Sequence, residues 1–250
     1  MEIIIEVEKL QKLFGISFIG GVFSDALLRF SPKGLIVNDP TVINGIIVVA
    51  TFKPEYFIKY DVIEQENIII PQSFYDIIKK KSFNAKEIKL YTTNTHLKII
   101  AGKDTYSEPI TSIEDDGTGI LPDRVERTCK VAAKDYGIMP VKNSELTFVG
   151  KINLTDFNLP SGKHYILISD DDGLRFEVKI TGNFKRKIDI IETKLTPTVH
   201  FTHKYDPTIL NSMVKQFQGC VWVAINEDGF IFLTDKNSER SMLFVMGESE

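Results

Sequence analysis

A repeated unit constrains this chain more than any single residue does. The segment DALLRFSPKGLIV (25–37) reads as a strand, a tight turn, a glycine and a second apolar run. YILISDDDGLRFEV (165–178) has the same order, so that Gly34-Leu35 and Gly173-Leu174 stand 139 positions apart. A weaker copy lies at VWVAINEDGFIF (221–232), and YTTNTHLKII (91–100) fills the fourth place without its glycine. Similarity at a fixed long interval points to a duplicated architecture, because each copy is one supersecondary unit. The expectation is an α+β fold of two similar domains, each of two βαβ-hairpin units, with antiparallel sheets. Residues 1–113 form the first domain and 145–250 the second. Between them, 114–144 is rich in charge, Gly and Pro and reads as a connector.

Short runs of Ile, Val, Phe and Tyr, most of them five to seven residues long, predict strands through both halves. Turn chemistry marks hairpins at Ser31–Gly34, Asp170–Gly173 and Asn226–Gly229. Helical spacing is confined to few places. Leu10, Leu13, Phe14 and Phe18 make a stripe over Glu8–Ser17, and Phe74, Ile77 and Ile78 make one over Gln72–Phe83. Ile152–Leu159 is a short candidate stopped by Pro160. Pro207–Phe217 is better supported, with Asp206 as N-cap and Pro207 at the first helical position.

The composition is that of a folded globular chain, with 43% hydrophobic and 26% charged residues, which excludes intrinsic disorder. No apolar run approaches membrane-spanning length. The opening MEIIIEVEKLQK lacks the features of a secretory signal, so an intracellular protein with no membrane partner is expected. Thirty basic against 34 acidic side chains give a net charge of −4. That sum does not exclude nucleic acid, because binding depends on where the basic residues sit.

Enzymatic chemistry is poorly represented. No HExxH, Walker A or GxSxG motif occurs, and of four histidines only His200 and His203 lie close in sequence. Asp170-Asp171-Asp172-Gly173 lacks the alternating ligands and terminal Glu of a calcium loop, and is more simply a hairpin turn. Cys129 and Cys220 are too few for a disulfide framework or a thiolate metal site, and neither reads as a nucleophile. No catalytic residue, metal or cofactor is expected.

Residues 25–62, with Gly34, Asp39-Pro40, Pro54, Phe57 and Tyr60, resemble the matching stretch of the proliferating cell nuclear antigen (PCNA) family of sliding clamps. IIIPQSFYDIIKKKSFNAKEIKLY (68–91) is similar to that family's second helix and strand, and 203–235 to its last helix and hairpin. The chain departs from the pattern where Met246-Gly247 stands for a family Ala-Pro, and Glu227–Phe230 for a proline-bearing turn. It looks like a divergent member, archaeal-type or viral.

The resemblance implies three chains closed head to tail into a ring whose helices face duplex DNA, put there by a clamp loader. Sliding requires many weak, sequence-independent phosphate contacts, which lysines supply. The candidates on or beside the four helices are Lys9, Lys12, Lys79, Lys80, Lys81, Lys151, Lys204 and Lys215. Away from that context a Lys-Lys-Lys run at a helix end is most simply a solvated face complementing the helix dipole.

Polymerase and other proteins with a clamp-interacting peptide would dock on Asn38, Ile43, Gly45, Ile120, Leu121, Phe244, Val245 and Met246, although plain core packing accounts for Ile43 equally well. Copies would pair through sheet edges at Tyr106–Ile113 and Leu174–Ile180. The side chains concerned are Tyr106, Ile110 and Ile113, and Leu174, Phe176, Val178 and Ile180. The function expected is a non-enzymatic processivity factor in replication and repair, working with the DNA. The alternatives are a clamp-like regulator or a subunit of a heteromeric ring, and, from another class, a metal-dependent nucleic-acid enzyme using Asp170–Asp172.

Overall fold

The computed structural model describes residues 1–38, 46–80, 83, 85–112, 146–157, 162–180, 182–195 and 200–249. In chain order, β1 (Glu2–Glu6) leads directly into α1 (Val7–Ser17), followed by β2 (Asp25–Ser31), β3 (Gly34–Asn38), β4 (Ile47–Phe52), β5 (Lys59–Asp61) and β6 (Glu66–Pro71). Next come α2 (Gln72–Lys80), β7 (Glu87–Thr92), β8 (His96–Ala101), β9 (Asp104–Pro109) and β10 (Thr111–Ser112). The later elements are β11 (Leu146–Asn153), β12 (Tyr165–Asp170), β13 (Gly173–Ile180), β14 (Gly182–Lys187), β15 (Ile190–Leu195) and β16 (Phe201–Tyr205). Then follow α3 (Pro207–Val214), β17 (Cys220–Asn226), β18 (Ile231–Lys236) and β19 (Arg240–Met246). Among the described residues no helix is long and apolar enough to cross a membrane.

The chain divides into two compact units. The first takes Met1–Thr41, Val48–Pro122 and Lys236–Met242; the second takes Val42–Ile47, Asp123–Asp235 and Leu243–Glu250. In the first unit a five-stranded sheet has the order β5-β1-β7-β8-β9, and β10-β6-β2-β3-β4 run side by side in a second. In the second unit β14-β13-β12-β16 form a four-stranded sheet, and β18-β17-β11-β15 adjoin in another. All the pairings within these two sets are antiparallel.

The three hairpin turns fall where the turn residues predict. Ser31 pairs with Gly34 and Asp170 with Gly173, while the Gly229 amide donates to the Asn226 carbonyl at 3.2 Å. All three glycines have positive φ, at 131°, 101° and 76°, a region that side-chain-bearing residues avoid.

The helices bury the stripes their spacing predicts. Leu10, Leu13 and Phe14 of α1 are buried, and α1 and α2 lie together through an edge-on Phe14–Phe74 contact of 5.3 Å and a stacked Phe18–Tyr75 pair at 5.5 Å. Rings in such offset or edge-on pairs add to simple area burial. In the second unit Asp206 caps α3 by accepting from the Thr208 and Ile209 amides at 2.7 and 3.0 Å. Helix α3 stops at Val214, short of the predicted Phe217. Gln216 and Phe217 donate only three residues back, to Met213 and Val214, so the last turn is tightened. Likewise α2 ends at Lys80, and Phe83, predicted to be its last residue, instead packs edge-on against Tyr106 at 5.9 Å. The third helical candidate is, within the described residues, a 3-10 turn over Leu154–Phe157.

Two strands lie outside the sequence reading: β5, only three residues long, and β14, whose GNFKRK has no alternating apolar face. The expected strand Tyr106–Ile113 is instead β9, ending at Pro109, and β10, which join different sheets on either side of Ile110. Pro109 is the last β9 residue registered against β8, opposite His96, and has no N–H to donate to a further rung.

Candidate nucleic-acid interface

Helix α1 carries Glu8, Lys9 and Lys12, and α2 carries Asp76, Lys79 and Lys80, so each helix has two lysines against one acid. The Gln11 amide donates to the Ile78 carbonyl at 3.3 Å. That bond links the residues next to Lys12 and Lys79, so both belong to one two-helix surface. Lys79 is exposed, with its ammonium 5.6 Å from the centre of the Tyr75 ring. The aromatic face holds such a cation loosely and leaves it available to a phosphate.

Lys9 is placed differently. Its Nζ donates to the Tyr56 carbonyl and to Glu239 Oε2, both at 3.2 Å, and lies 5.0 Å over the Tyr56 ring. The Tyr56 hydroxyl in turn donates to the Lys9 carbonyl at 2.9 Å. Burial pushes the Tyr56 phenol well above its ordinary range, so it remains a neutral donor. The α1 lysine nearest the helix start is therefore neutralised by a carboxylate from far along the chain.

The remaining lysines are dispersed. Lys215 caps the C-terminus of α3 and is exposed. Lys151 lies in β11, opposite Glu192 and Trp222, and Lys204 lies in β16, so neither is on a helix. Lys80 is the last residue of α2, and Lys81 falls outside the described residues.

Of the expected docking residues, Ile43, Gly45, Ile120 and Leu121 also fall outside the described residues, and Asn38 ends β3, paired with Leu27 and Val49. Phe244, Val245 and Met246 are buried. Phe244 packs edge-on against Phe217 at 5.2 Å, and Val245 joins Leu146, Val149, Ala224, Phe232 and Leu243 in a core cluster. Strand alternation sends Phe244 and Val245 to opposite sides of β19, so both pack into the chain's own interior. The half-buried rings beside that cluster are Trp222, with Lys194 Nζ 4.5 Å over its face, and Phe230.

No family model matches the sequence, and no curated protein matches it. Solved structures do. A chain of A. fulgidus PCNA, solved with the C-terminal region of FEN-1 bound, superposes with a TM-score of 0.70 at 15% identity, covering 100% of this chain and 98% of that one. A chain of the PCNA2–PCNA3 complex from Sulfolobus tokodaii gives 0.70 at 13% identity, with 99% of each chain covered. PCNA from Thermococcus kodakaraensis gives 0.68 at 12%, again with 99% of each covered. The chain has the PCNA clamp fold.

In this version of the clamp fold, one expected edge is not an edge. Strand β13 lies between β12 and β14, and Leu174, Phe176 and Val178 are buried at 5%, 1% and 1% exposure. The reading of Leu174–Ile180 as an unpaired strand is corrected, because β14 folds back along its whole length from Arg175–Lys187 to Ile180–Gly182. Strand β9, with Tyr106, is the outer strand of its sheet, whereas Ile110 lies between β9 and β10 and Ile113 outside the described residues.

The triple-aspartate loop is held by its own hydrogen bonds. Asp170 accepts from both terminal guanidinium nitrogens of Arg175, at 2.5 and 2.7 Å, and from the Asp172 amide at 3.0 Å. Arg175 holds the Asp170 carboxyl below its ordinary range. Among the described residues no three His, Cys, Asp or Glu side chains converge as a metal site.

Proposed function

We propose that this chain is a DNA sliding clamp, a non-enzymatic tether that encircles duplex DNA and holds a polymerase and other DNA-acting proteins to it. The observation that carries the reading is the likeness to PCNA over essentially the whole of both chains. The α1/α2 surface supports it in kind. With Lys9 already paired to Glu239, exposed Lys79 gives attraction that is weak and easily screened, as a protein that must move along phosphates requires. A. fulgidus PCNA with its bound FEN-1 segment motivates peptide segments of DNA-acting proteins as partners, and a clamp loader would place the ring on DNA that has no free end. A second reading, a subunit of a heteromeric ring, is favoured by the PCNA2–PCNA3 neighbour.

The test is topological retention. The protein is threaded onto open-ended linear duplex, the ends are capped with bulky protein, and the DNA is washed in high salt. A clamp stays until an internal cut frees it. Release in the salt wash before the cut overturns the reading.

A further inference from the structure

Helix α1 starts where β1 stops, with no residue between them, and a groove opens at that junction. The Val7 amide donates to the Lys86 carbonyl at 3.1 Å, and the Ile58 amide to the Ile4 carbonyl at 2.9 Å. The segments leading into β7 and β5 are thus tied down on either side of the junction. The groove has a volume of about 680 Å³, inside the range of about 300–1,000 Å³ usual for ligand pockets. Two of its lining side chains are large and apolar. Ile58 is 50% exposed, and Phe83 is half-buried with its ring edge-on to Tyr106.

The rim is acidic. Among the described residues that line the groove are three acids, Glu6, Glu8 and Glu87, against one base, Lys86, and all four are exposed. Glu6 and Glu87 stand directly opposite one another in the β1–β7 ladder, where like charges oppose pairing. Among the described residues none of the four closes an ion pair. Glu8 has a local role in the first turn of α1, where a negative charge complements the helix dipole. Glu6 has none of that kind, since its side chain makes no cap on α1. Nor do three acidic or metal-ligating side chains converge on a metal site among the described residues. The species that relieves the Glu6–Glu87 repulsion is an organic cation, set between the carboxylates with its stem along Ile58 and Phe83.

We propose that this groove docks a basic peptide segment of a partner protein, one in which arginine adjoins a leucine-sized apolar side chain. The guanidinium fork suits two separated carboxylates, because its donors point outward in one plane. The arginine stem and its apolar neighbour then cover Ile58 and Phe83, which removes apolar surface from water. Charge selects peptide over nucleic acid here, since three carboxylates repel phosphate. The groove lies wholly within the first unit. It adds a protein contact to the clamp reading and does not rest on retention on DNA.

The probe is a fluorescein-labelled octapeptide of arginine, leucine and glycine, followed by anisotropy at low salt. Its counterparts carry glutamate for arginine, or glycine for leucine. The wild-type chain should bind the arginine–leucine peptide in preference to both. E6Q/E87Q should bind it about tenfold less tightly, the loss expected of two partly exposed ion pairs, and Ile58→Ser severalfold less. Without peptide, E6Q/E87Q should have a raised urea midpoint, because the repulsion across the ladder is gone. The charge-reversed E6K/E87K should select the glutamate peptide. Hydrogen exchange of the wild-type protein needs no variant to fold: amides of residues 85–87 and of the first turn of α1 should slow when the peptide is added. Unchanged affinity in E6Q/E87Q or in Ile58→Ser overturns the proposal, as does protection confined to other segments or a wild-type chain that binds none of the peptides. Spermine that binds as tightly as the peptide and displaces it would assign the groove to a free polyamine, and overturns the peptide reading too.

Discussion

Lys9 Nζ and Glu239 Oε2 lie 3.2 Å apart although 230 positions separate them, and the pair removes one cation from the helix surface expected to meet DNA. Both side chains are partly exposed, at 31% and 41%, so the pair adds less than about 1 kcal/mol to stability. Its larger consequence is for phosphate binding. Glu239→Gln should free Lys9 and steepen the dependence of log affinity for duplex on log salt by about 0.9, the value for one further phosphate neutralised. Lys9→Ala in the wild-type background should leave the slope unchanged. Filter binding or anisotropy across a salt series checks both, and equal slopes for E239Q and wild type would remove Lys9 from the interface.

On helix α2, Lys79 is exposed. Changing Lys79 and Lys80 to Ala together should flatten the same slope by about 1.8, because two fewer phosphates are then neutralised. The thermal midpoint should move little, because Lys79 is solvent-exposed and lies only over the Tyr75 ring. A slope that does not change, with a normal melting curve, would leave the α2 lysines as a solvated helix end.

Stability should fall in acid through one carboxylate in particular. Glu2 in β1 is gripped by lysines from both neighbouring strands, Lys59 Nζ at 2.8 Å and Lys89 Nζ at 2.6 Å. They hold its pKa at about 2, against an ordinary 4.5. A carboxyl lowered by folding binds fewer protons when folded than when unfolded. Its contribution is therefore complete above pH 4.5 and is lost as the pH falls towards about 2. Glu2→Gln should lower the urea midpoint at pH 7, and the gap to wild type should narrow below pH 4.5 and close near pH 2. A gap that stays constant across that range would show that the two lysines do not act through the charge of Glu2.

The duplicated hairpins were legible because turn chemistry is local. Gly34, Gly173 and Gly229 follow residues that already specify a reversal, and all three adopt the positive φ that such turns need. The apolar stripes of α1 and α3 were legible for the same reason, since Leu10, Leu13, Phe14, Leu210 and Met213 mark one helical face by spacing alone. What escaped depends on partners distant in sequence or on edges. Strand β14 has a single apolar residue, Phe184, and is a strand only because β13 offers a ladder to it. The burial of Phe244 depends on Phe217, and the pairing of Lys9 on Glu239, which no periodicity within a segment reveals. A lysine on a helix face is visible in sequence, whereas a lysine already spent on a carboxylate is not.

The repeat itself makes the last prediction, because its first glycine is fixed by space as well as by torsion. Gly34 has φ of 131°, and a Cβ there would stand 2.3 Å from the Phe52 carbonyl oxygen, which belongs to rigid ladder backbone in β4. Gly219 also has positive φ, 76°, but a Cβ there would meet nothing within 4 Å. Backbone strain of this kind costs about 1–3 kcal/mol. Gly219→Ala should show strain alone, at about 1 kcal/mol, near the lower end of that range. Gly34→Ala adds the clash, and β3 must shift away from β4, so the loss should exceed about 3 kcal/mol, beyond strain alone. Urea denaturation of the two variants at neutral pH provides the comparison. Equal midpoints would mean that the β3–β4 contact yields freely, and that the glycine at the head of the repeat is required for its torsion only.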